Sequence, residues 1–176
     1  MKIAIIAWGS LIWNPGILKY SGNWSPGGPI LPIEFSRISK DGRLTLVIDE
    51  ANGVPIQTLY AFAATASLEE AIANLMEREG TLARGIGDVQ IGSQPQTSIE
   101  QTILEWIEIQ GFDAAIWTAL GSNFEEKIGE PYFIATAQKY LNSLEGEKKA
   151  NALKYILNTP AFVQTPFREM FEKSIQ

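Results

Sequence analysis

The sequence predicts an α+β fold, and three observations carry that prediction. Residues 3–7 are an unbroken apolar run, too short for a typical helix and suited to a strand buried on both faces. Residues 30–64 hold strand-like stretches separated by turn residues. Apolar residues at helical spacing follow, first over 68–76 and again beyond Glu130.

Taken in order, the first strand runs into Gly9-Ser10, and Asn14-Pro15-Gly16 closes the next segment with three turn formers. A glycine just past a buried strand lets the backbone approach a ligand closely, and a loop of amides suits a carboxylate or carbonyl oxygen. Ser21 to Pro29 is loop chemistry throughout, a mobile flap or a long connection. Leu31, Ile33 and Phe35 alternate with Pro32, Glu34 and Ser36, which predicts a half-buried strand. The same parity puts Arg37 on the apolar face, either paired at the rim of a site or reaching back to water from the strand's end. Lys40-Asp41-Gly42-Arg43 is a hairpin signal, with strands at 44–48 and 56–64 completing an antiparallel meander.

Ser67 with Glu70 has capping-box spacing and opens a helix whose apolar stripe is Leu68, Ile72, Leu75 and Met76. Glu79 lies three residues after Met76, four after Leu75 and seven after Ile72, so the helix aims this carboxylate inward just before Gly80, a helix stop. Burial and the negative end of the helix dipole both disfavour its charged form, which marks Glu79 as a candidate functional residue. The alternative is that the helix ends at Arg78 and Glu79 turns to solvent or pairs with an arginine. Further on, residues 89–91 are extended, Ser98 with Gln101 opens a helix through Trp106, and 112–120 is a buried strand. Helical stripes at 133–144 and 150–157 follow. Thr165-Pro166 starts a last short helix whose Phe167, Met170 and Phe171 form a lid on the core or a homodimer contact.

Composition bounds the function. The 176 residues suit a single domain, read here as a core over 1–120 with a mostly helical extension over 121–176. A net charge of −6 without a basic stretch argues against a nucleic-acid partner. With no Cys and no His, thiolate nucleophiles, typical structural zinc sites and Ser-His-Asp arrangements are excluded, so protons would be moved by Asp, Glu, Lys, Tyr or backbone groups. No apolar run reaches a membrane span, and the expected compartment is cytoplasmic.

Two patches resemble one family. Gly9-Ser10-Leu11-Ile12-Trp13-Asn14-Pro15, after a strand and an aromatic residue, resembles the glycine-serine-leucine loop of the γ-glutamylcyclotransferase-like proteins, the ChaC-like branch most of all. Met76-Glu77-Arg78-Glu79-Gly80 is similar to the segment that ends in that family's catalytic glutamate, and Phe35-Ser36-Arg37 looks more loosely like its second-strand arginine region. The resemblance covers about the first half of the chain. It implies a mixed, mainly antiparallel β-barrel flanked by helices. It also implies cyclisation of a small γ-glutamyl compound to 5-oxoproline, without metal or cofactor. Glu79 would be the general acid/base, and Trp8, Gly9, Ser10, Leu11 and Arg37 the substrate-binding residues. A catalytically silent binding or interaction module of the same fold is the alternative. Two features depart from the family: Trp8 replaces a tyrosine, removing any contact through its hydroxyl, and no tyrosine follows Glu79 before Tyr132.

Overall fold

The structure, a computed structural model, describes residues 1–174 and is α+β, with six strands in one mixed sheet and six α-helices. The strands are β1 (Ile3–Ala7), β2 (Tyr20–Ile38), β3 (Leu44–Ile48), β4 (Val54–Ala63), β5 (Ile86–Gln90) and β6 (Ala114–Thr118). The helices are α1 (Leu68–Glu79), α2 (Ser98–Gln110), α3 (Phe124–Ile128), α4 (Ile134–Ser143), α5 (Gly146–Asn158) and α6 (Pro166–Ser174). The strand order is β3-β2-β4-β1-β6-β5, an open sheet with β3 and β5 at its edges. The barrel implied by the resemblance is therefore not closed. Nor is the stretch from 30 to 64 a simple meander, because β4 lies beside β2 and not beside β3.

Two compact units make up the chain: Met1–Leu31 with Gln57–Leu120, and Pro32–Ile56 with the residues from Gly121 onward. The division differs from the 1–120 and 121–176 grouping expected from the sequence.

In the first unit, β1 is buried along its whole length, as its unbroken apolar run requires, between antiparallel β4 and parallel β6. Helix α1 begins as its sequence predicts. Ser67 accepts from the Glu70 N–H, and Glu70 reaches back to the Ala66 N–H. It ends at Gly80, whose left-handed φ of 58° lets its N–H close on the last turn. Helix α2 is capped one residue earlier than expected, by Thr97 accepting from the Glu100 N–H. The stretch 21–29, read from the sequence as a mobile flap or a long connection, is instead the first half of β2. Its carbonyls are taken by partners remote in sequence: Trp106 donates to Gly27 at 2.8 Å and Thr58 to Pro29 at 2.7 Å. A Cβ at Gly28 would come within 2.5 Å of the Thr58 hydroxyl, so this glycine is where the two strands close up. Local composition reads as loop; packing against Thr58 and Trp106 makes it strand.

In the second unit, β2 and β3 pair antiparallel through the expected turn, where Gly42 has φ 81° and the Ser39 N–H donates to the Arg43 carbonyl. The half-buried strand predicted at 31–36 is corrected: Glu34 and Ser36 are as buried as Ile33 and Phe35. The ladder slips between Glu34 and Arg37, breaking the simple alternation, and the Phe167 N–H of α6 comes down on the Glu34 carboxylate. Phe35 meets the rings of Phe167 and Tyr155, with centroids 5.4 and 6.3 Å away. Phe167 and Phe171 are buried within this unit.

Candidate active site

The loop after β1 is a compact turn. The Gly9 carbonyl accepts from the Ile12 N–H at 3.0 Å, and the Ser10 carbonyl accepts from the Asn14 N–H at 2.8 Å. Leu11 is buried in a core cluster with Ile3, Ile5, Leu75 and Ile116, so its side chain anchors the loop. Trp8 is likewise buried.

Helix α1 holds the segment that follows with two polar side chains one turn apart. Asn74 accepts from the Lys19 N–H at 2.7 Å and donates to the Ile17 carbonyl at 3.1 Å. Arg78, four residues on and on the same face, donates to the Ser10 hydroxyl at 3.2 Å and to the Asn14 carbonyl at 2.6 Å. Its other terminal nitrogen donates to Glu79 Oε1 at 2.7 Å. One guanidinium thus bridges the loop and the carboxylate. Glu79 and Ser10, far apart in sequence, share a partner.

The helix does extend through Glu79, and that side chain is 16% exposed against 11% for Arg78. The helix therefore does not end at Arg78, yet Glu79 makes the arginine pair that the alternative allowed, with Arg78 itself as the partner. An ion pair this sheltered is screened less than one on the surface. It gives the site a cation and an anion side by side, beside a loop of backbone amides.

Arg37 lies in the other unit, where it donates to the Gly121 carbonyl at 2.7 Å, and burial pulls its guanidinium below its ordinary range. Of the six residues expected to form the site, Trp8, Gly9, Ser10, Leu11 and Glu79 fall in one unit and Arg37 does not.

Sequence reasoning missed Asn74 and Arg78. Asn74 carried a signal: an asparagine has poor helix propensity, and this one sits mid-helix beside Leu75, four residues before Arg78. Arg78 did not stand out, because an arginine in the last turn is adequately explained by the helix dipole.

Among the described residues, no group of three or more His, Cys, Asp or Glu is placed to hold a metal ion. Likewise, no helix is long and apolar enough to cross a membrane. No protein-family model matches the chain, and no curated protein matches it.

Proposed function

We propose that this chain is a γ-glutamylcyclotransferase-like enzyme that cyclises a small γ-glutamyl compound to 5-oxoproline and releases the attached amine. The observation that supports the reading is the Arg78 bridge, which joins the Glu79 carboxylate to the Ser10 hydroxyl and the Asn14 carbonyl. The proposal takes the family's site chemistry and leaves out a closed barrel, since the sheet is open.

The chemistry needs few groups because both reacting centres belong to one molecule. The substrate's α-nitrogen attacks its own γ-carbonyl carbon, a C–N bond closes the five-membered lactam, and the γ-amide C–N bond breaks. Two protons pass from the α-nitrogen to the leaving nitrogen, and Glu79 carries them. The N–H groups of Gly9, Ser10 and Leu11 hold the glutamyl end and stabilise the oxyanion that forms at the γ-oxygen. Holding the chain folded on itself supplies much of the rate, as effective concentration does in any intramolecular closure.

The test is incubation of the protein and its Glu79→Gln variant with γ-glutamyl amino acids, γ-glutamyl amines and glutathione, followed by assay for 5-oxoproline. Product from the parent, reduced about 10²- to 10⁴-fold in the variant, is the expected result. Product from neither, with a γ-glutamyl compound still bound, would replace the enzyme by a silent binding module.

A further inference from the structure

Asn74 is a buried polar side chain for which the cyclisation has no direct use. Its helix does not need it either, since its amide reaches off α1 to the backbone at Lys19 and Ile17. Those two bonds secure the far end of the segment that begins with Gly9. The chain between them and Ser10 has little freedom. The Leu18 N–H closes a turn onto the Pro15 carbonyl at 3.1 Å, proline fixes its own φ, and Gly16 takes a left-handed φ of 60°. Leu11 and Leu18, one on either side of that turn, are buried in the same core cluster. A shift at residues 17–19 therefore reaches Asn14 and Ser10 as a displacement, with no slack connection to absorb it. Arg78 holds only the near end of the segment, at Ser10 and Asn14. Asn74 and Arg78, four residues apart on α1, thus clamp both ends from one helix face.

Resting on the cyclotransferase reading, we infer that Asn74 is a positioning residue for the reaction: by way of Ile17 and Lys19 it sets the Gly9, Ser10 and Leu11 amides at the level along α1 where Glu79 serves the same substrate. Asn74 itself touches no substrate. It governs the placement of donors whose bonds strengthen as the oxyanion forms, so its loss falls on kcat and leaves KM nearly alone.

The test replaces Asn74 by Leu, similar in size and without hydrogen-bonding groups, and by Asp, which still accepts from Lys19 but cannot donate to Ile17 when ionised. The substrate is γ-L-glutamyl-L-alanine, and Ile103→Val, in the core under α2 of the same unit, is the control for lost stability. The inference expects Asn74→Leu to lower kcat about ten- to hundredfold with KM within about threefold of the parent, and Asn74→Asp to lie between. Ile103→Val keeps the parent's kcat at temperatures well below its unfolding midpoint. An unchanged kcat in Asn74→Leu overturns the inference, as does a loss carried by KM alone or one that Ile103→Val shares. If Asn74→Leu does not fold, the same readings on Asn74→Asp decide. Backbone NMR separates this question from catalysis. The Gly9, Ser10 and Leu11 amide signals should move in the Asn74 variants and stay in place in Ile103→Val. If the parent releases no 5-oxoproline, the enzyme reading falls; displaced signals then uphold the hold of Asn74 on the loop, and unmoved ones overturn it.

Discussion

Glu79 and Glu34 are both carboxylates that the fold shelters from solvent, yet the two units treat them differently. Glu79 keeps 16% of its side-chain surface open and faces one charged partner, Arg78. Glu34 is 1% exposed and is met by uncharged groups: the Phe35 N–H at 2.7 Å, the Phe167 N–H at 3.4 Å and the Thr165 side chain. Burial pushes the Glu34 carboxyl above its ordinary value of 4.5, these hydrogen bonds pull it back only in part, and the charge of Asp49 adds to the rise. Nearby Tyr132 follows the same logic. Its hydroxyl is buried without a hydrogen-bond partner among the described residues, and burial, then Glu34 and Asp49, drive its titration far upward. Glu34 accepts from the first turn of α6 and so ties that helix to β2, as an N-terminal cap of unusual burial. The difference separates a carboxylate that serves structure, enclosed and met by backbone, from one left reachable beside a cation.

That contrast can be broken most forcefully at Glu34. Replacing it with Ala strands the Phe35 and Phe167 N–H groups inside the unit, and a stranded buried donor costs about 1–3 kcal/mol. Urea unfolding of Glu34→Ala should show a loss of that order or more, whereas Glu79→Gln should scarcely move the midpoint while removing activity. Equal destabilisation by the two would erase the distinction. Asn74→Ala comes next. It removes the partners of the Lys19 N–H and the Ile17 carbonyl, so amide exchange should quicken locally over residues 17–20, with a smaller global loss of roughly 1–2 kcal/mol. Unchanged exchange there would show that α1 does not hold the segment.

The smallest effect is a slope of stability with pH. Glu34 titrates above 4.5 in the folded protein, so the native state binds its proton more tightly than the unfolded chain does. Its contribution is fully present below pH 4.5 and is lost as pH rises through the folded value. Asp49 runs the other way. Burial pushes it up, but the Asn52 side chain and the Asn52 and Ala51 N–H groups donate to its carboxylate, and it is held below 3.8. Its contribution is present above pH 3.8 and lost as pH falls below it. Denaturation of Glu34→Gln across this range should therefore lack the decline above pH 4.5 and keep the loss below pH 3.8. A variant with the parent's full profile would place the titration elsewhere.

How far the sequence revealed the molecule follows from how local each cause is. The strand at 3–7, the capped helix ending at Gly80 and the turn at Gly42 are written in adjacent residues, and each stands where the pattern predicts. Residues 21–29 were misread because their glycines and prolines are explained only by Thr58 and Trp106, far along the chain. Glu34 was read as solvent-facing because its cover, α6, begins more than 130 residues later. The candidate site is legible in part for the same reason. The loop and Glu79 each carry a local signature, but the residue that joins them, Arg78, is defined by what it reaches: Ser10 and Asn14.

The central claim is that the loop after β1 and the end of α1 act as one binding site. The most direct measurement is backbone and arginine side-chain NMR during titration with L-glutamine. The account predicts shifts concentrated at Gly9 to Asn14 and at Arg78 to Gly80, saturating together at one affinity. Shifts that cluster around Arg37 and Gly121 while residues 9–14 stay unmoved, or no shifts at all, would contradict it.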